Sequence, residues 1–122
     1  MRRRLVLLAI PAVLALVLPT AGRAAFHNRL VKSDPAADST VKSPRAIRLW
    51  FAEKVDAKLS SITVMTADST KVDAGKARTT DDPKSIAVDL AAPLGAGAYQ
   101  VVWRTAGDDG HAVRGRFRFS VE

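Results

Sequence analysis

From Val113 to Val121 the chain alternates without a slip. Val113, Gly115, Phe117, Phe119 and Val121 take one side, and Arg114, Arg116, Arg118 and Ser120 take the other. A period of two is the mark of a β-strand with one face buried and one face wet, and a helix would scatter these arginines around its axis. Shorter alternations recur upstream. Ile47, Leu49 and Phe51 oppose Arg48 and Trp50 in 46–52; Ile86, Val88 and Leu90 point inward in 85–90; Tyr99, Val101 and Trp103 share a face in 98–105. Segments 30–33 and 61–66 are further strands, and 71–73 and 77–79 are weak edge segments. Pro, Gly, Asp and Ser clusters punctuate the series, and one turn near Val55 to Ser60 is the only helical segment expected. About seven short strands cannot bury their apolar faces as one flat sheet. The expected fold is therefore all-β, a Greek-key sandwich or barrel of immunoglobulin or cupredoxin type. At 122 residues there is room for one such domain and not two.

The start of the chain reads differently. Arg2, Arg3 and Arg4 precede an apolar run from Leu5 to Leu18, then Pro19, Thr20, Ala21 and Gly22, with Ala24 and Ala25 close behind. A charged region, an apolar region and a small-residue zone make a cleavable secretory signal peptide, assigned to residues 1–25, ahead of a domain over 26–122. The apolar run, about 14 residues, is short of the ~20 that a spanning helix needs. Cleavage falls after Ala24, with Gly22 and Ala24 in the −3 and −1 positions, or after Ala25. Export places the protein outside the cytoplasm, in the periplasm.

Removing the leader also changes the electrostatics. The whole chain carries a formal charge of +7, which suggests a nucleic-acid partner. Four of the 19 basic residues and none of the 12 acidic ones lie in the leader, so the mature chain carries only +3. Nucleic-acid binding loses its support, and the arginines of the last strand are expected to be a solvated outer face.

Chemistry-bearing residues are few. There is no cysteine, which excludes disulfides, thiolate zinc sites and a cysteine nucleophile, and Met65 is the only methionine besides Met1. No G-x-S-x-G, H-E-x-x-H, P-loop or G-x-G-x-x-G is present. The adjacent pairs Asp81-Asp82 and Asp108-Asp109 would splay on a strand, which disfavours a glycosidase dyad. The two histidines remain. His27 lies within three residues of the new terminus, and His111 lies in the loop Gly107-Asp108-Asp109-Gly110-His111. Imidazoles, a terminal amine and the carboxylate of Asp109 suit the tetragonal preference of Cu(II), and Zn(II) accepts similar donors. In extended backbone Asp109 and His111, two residues apart, would face the same way and chelate one ion.

Four segments in order resemble the CopC family of periplasmic copper-binding proteins, whose domain also occurs fused to CopD-type membrane proteins. They are His27-Asn28-Arg29-Leu30 with Ser33-Asp34-Pro35-Ala36; Leu49-Trp50-Phe51-Ala52-Glu53-Lys54-Val55; Gly97-Ala98-Tyr99-Gln100-Val101-Val102-Trp103-Arg104; and Asp109-Gly110-His111 followed by Gly115, Phe117 and Phe119. The resemblance implies a seven-stranded Greek-key barrel and one Cu(II) site from His27 with its amine, Asp109 and His111, with Glu53 as a further candidate ligand. It implies a copper carrier or buffer for homeostasis or resistance that hands the ion to a CopD-type inner-membrane protein, without catalysis and without a small-molecule substrate. Two departures stand out. Some members carry a Met-rich Cu(I) site, which a lone Met65 cannot build. Members usually expose His directly after cleavage, whereas Phe26 precedes His27 here; a terminus of Ala25-Phe26-His27 would let the amine, two amides and the imidazole wrap one Cu(II). Two other functions compete: an immunoglobulin-like interaction module with incidental histidines, and a histidine-brace copper monooxygenase.

Overall fold

The computed structural model describes residues 28–107 and 109–122. The expected signal peptide and His27 lie outside the described residues. Eight strands run in order: β1 Leu30–Asp34, β2 Thr40–Val41, β3 Ala46–Phe51, β4 Ser61–Thr66, β5 Arg78–Thr79, β6 Ser85–Asp89, β7 Gly97–Ala106 and β8 Ala112–Val121, with one 3-10 turn at Ala57–Leu59 between β3 and β4. They form two four-stranded sheets, β1-β3-β6-β5 and β2-β8-β7-β4. Only β5–β6 and β7–β8 are consecutive neighbours within a sheet. Every other connection crosses between sheets, and the two sheets form the expected all-β sandwich.

The strand inventory differs from expectation only in its smallest members. Thr40–Val41 was not expected as a strand; it pairs in parallel with Ser120 and Val121 at the edge of the second sheet. The 71–73 segment contributes an isolated bridge, Met65 to Lys71, and the 77–79 segment shrinks to the two residues of β5.

The alternations deliver the core. Ile47, Leu49, Phe51, Ile86 and Val88 enter from the first sheet, and Ile62, Val64, Tyr99, Val101, Trp103, Phe117, Phe119 and Val121 from the second. Phe51 meets Trp103 edge-on, centroids 5.2 Å apart at 75°, which joins the sheets at one end of the sandwich. Trp103 fits there because the residue opposite it on β8 is Gly115. A Cβ at Gly115 would lie 2.4 Å from the indole ring. The single gap in the apolar alternation of β8 is thus the seat of the largest core side chain. Tyr99 stacks on Phe119 at 5.6 Å and donates its hydroxyl to the Gly95 carbonyl, tying the 93–97 loop to the core.

Candidate metal centre

Glu53 follows Phe51 by two residues, and Thr105 follows Trp103 by two. Beyond the aromatic pair, Glu53 and Thr105 line an open cleft of about 940 Å³, together with Asn28, Asp109, His111 and Val113 among others.

One wall is the tip of the β7–β8 hairpin. The ladder runs unbroken to Ala106 opposite Ala112. Five residues then close the turn: the Gly107 N–H donates to the His111 carbonyl at 3.1 Å, and the Gly110 N–H donates to the Gly107 carbonyl at 2.9 Å. Gly110 sits at φ +79°, in the left-handed region that disfavours a side chain. Asp109 and His111 are therefore brought together by a tight turn and not by extended backbone, the geometry from which their pairing was first expected. The His111 backbone N–H donates to Asp109 Oδ1 at 3.0 Å, and His111 Nδ1 lies 2.8 Å from Asp109 Oδ2. The imidazole contact, seconded by that backbone N–H, holds the Asp109 carboxyl below the usual carboxylate range. At 2.8 Å this is a charge-assisted hydrogen bond between the ring nitrogen and the carboxylate, which holds two potential metal donors side by side. Both side chains are exposed, so an ion can approach the pair from solvent.

The opposite wall is the segment after β3, and here the start of the described chain is fastened. Asn28 Oδ1 accepts the Glu53 N–H at 2.8 Å, while its Nδ2 donates to the carbonyls of Glu53 and Lys54 at 3.2 Å each. The Arg29 carbonyl accepts the Ala52 N–H at 3.0 Å, and Leu30 pairs with Phe51. Sequence reasoning missed Asn28. Its only signal was an amide side chain, able to donate and accept at once, directly after His27.

The candidate ligands thus divide. Asp109 and His111 are in contact. Glu53 lines the same cleft without joining them, since among the described residues no three His, Cys, Asp or Glu side chains form a metal-sized group. His27 precedes the first described residue.

Fold and cleft define a class: a small two-sheet β-sandwich whose one end carries a carboxylate–imidazole pair across from the fastened chain start. Comparison with known proteins narrows the class. Residues 30–122 match the CopC domain. Copper resistance protein C of Escherichia coli is 35% identical over 114 residues, spanning 88% of this chain and 90% of the relative. The crystal structure of CopC from Methylosinus trichosporium OB3b aligns with a TM-score of 0.72 at 32% identity, covering 79% of this chain and 94% of that one. PcoC, described as a methionine-rich copper resistance protein from Escherichia coli, aligns at 0.71 and 35%, covering 79% and 99%. The chain belongs to the CopC family.

Proposed function

We propose that this protein is a periplasmic Cu(II) carrier or buffer that binds one ion in the cleft and passes it to a membrane partner of CopD type. The leader supports export. The names of the relatives support copper as the cargo. The oxidation state follows from the donors on offer, which are imidazole, carboxylate and amine, with Met65 as the single thioether outside the leader. His111 and Asp109 supply two donors and His27 a third, with the terminal amine added after processing. Glu53 stands at the rim as an acidic neighbour. The work is ligand binding and exchange, with no bond-making chemistry in the protein.

One observation carries the reading. Asn28 is locked onto the wall facing Asp109 and His111. The described chain thus begins in the lining of the same cleft as Asp109 and His111, which supports the preceding residue, His27, as the third donor. Imidazole and amine must lose their protons to bind, so affinity falls in mild acid.

Cu(II) titration of the secreted, processed chain tests this, with mass spectrometry of its terminus. One equivalent is expected at neutral pH, and His111→Ala should weaken binding by at least tenfold. Undiminished affinity in that variant would remove the hairpin tip from the site.

A further inference from the structure

The strands of the second sheet, β2, β4, β7 and β8, contain four arginines and not one Asp or Glu. All four arginines point outward and are exposed: Arg104 on β7, and Arg114, Arg116 and Arg118 on β8. Register concentrates them. Arg104 lies directly opposite Arg114, a like-charge cross-strand pair that costs stability, and the other two follow along β8 at intervals of roughly 6.8 Å. At the far edge Lys71, bridged to Met65, adds a fifth positive charge. Among the described residues none of these five takes part in an ion pair, whereas Arg48 and Arg78 of the first sheet are each matched by an aspartate. The mature chain has a net charge of only +3, so this one face holds more positive charge than the whole molecule. A solvated outer face needs no such segregation.

We infer that the outer face of the second sheet docks on an anionic phospholipid surface. Three observations select that occupant. The outward side chains around the arginines, Ser61, Thr63, Ala98, Gln100 and Val102 among them, carry no negative charge, so nothing on the face repels a layer of phosphates. The β7 and β8 cations are all guanidinium, whose planar fork takes phosphate oxygens two at a time. And the leader, read as a secretory signal, delivers the mature chain beside a bilayer. The orientation has a use. Arg104 shares a recess with Gly107 and Gly110, so the basic face runs up to the loop that bears Asp109 and His111. A molecule lying on the bilayer through this sheet would hold that loop close to the membrane plane, within reach of the membrane partner of the function proposed above, on which this use rests.

Sedimentation with vesicles tests the inference independently of copper. The mature chain is mixed with phosphatidylcholine vesicles and with vesicles half phosphatidylglycerol, at low salt and again at 0.5 M NaCl, roughly where the Debye length falls below 5 Å. Binding to the anionic vesicles only, lost at high salt, is expected. Replacing three arginines, Arg114→Gln, Arg116→Gln and Arg118→Gln, should lower the partition coefficient about a hundredfold, while Arg78→Gln leaves it unchanged. Arg116→Gln alone, about fivefold weaker, serves if the triple variant does not fold. Equal association with both vesicle types, no association with either (as an acidic protein partner would give), or a triple variant that binds like the parent would each overturn the proposal.

Discussion

The two sheets treat their outward arginines in opposite ways. On the first, Arg48 donates through Nε to the buried Ser85 hydroxyl at 3.0 Å and through Nη2 to Thr80 and Asp81. Its guanidinium also lies 4.4 Å from the Trp50 ring centroid, with Lys32 Nζ at 4.2 Å. Arg78 forks onto Asp89 at 2.9 and 3.0 Å, which draws the Asp89 carboxyl below its usual range. These cations are spent inside the fold. On the second sheet the arginines have no acid among their own strands, and two of them face each other. The same residue type is structural glue on one side and unspent charge on the other. What separates them is whether register and neighbouring loops bring a carboxylate within reach.

The comparison rests on a shared interior, and the largest effect comes from disturbing it. Gly115→Ala puts a methyl group 2.4 Å from the Trp103 ring, which is 5% exposed and has nowhere to retreat. The expected loss is about 3 kcal/mol, or roughly 15 °C in Tm. A calorimetric scan within a degree or two of the parent would mean that the indole is looser than its packing implies.

A smaller effect distinguishes the first sheet. Arg48→Ala removes the bonds to Ser85 and Thr80 and one cation from Trp50, for about 1–2 kcal/mol. Little of this comes from the Asp81 contact, since that carboxylate is 88% exposed. The urea midpoint should fall with the slope unchanged. The smallest effect has the opposite sign. Arg104→Thr relieves the repulsion with Arg114 and should stabilise by ~0.5 kcal/mol at low salt, fading as salt is added. A loss of stability in this variant would show that the arginine pair is compensated after all and would erase the contrast between the sheets.

How far each feature could be read in advance follows from its physics. β8 was legible because a strand buried on one face must alternate, and nine residues of alternation leave little choice. Gly115 was legible as an inward position, but its reason, the ring of Trp103 across the hairpin, depends on register. β2 was invisible because two residues have no period and its pairing with Ser120 and Val121 is set by the chain's return path. The pairing of Asp109 with His111 was anticipated from their spacing, yet it is achieved through the Gly110 turn. Glu53 was placed near the site by likeness to the family; it lines the cleft and stays apart from the pair. Asn28 bonds to backbone groups 25 and 26 residues away, a contact with no trace in local sequence.

The clamp at Asn28 has a kinetic corollary. Its three bonds close a loop of 25 to 26 residues, so the edge of the cleft that carries Glu53 cannot drift from the start of β1 without breaking all of them together. On the copper-carrier proposal above, an ion held on one side of the cleft would meet donors on the other at high effective concentration. Release would then proceed one donor at a time, and an acceptor could take each vacated position in turn.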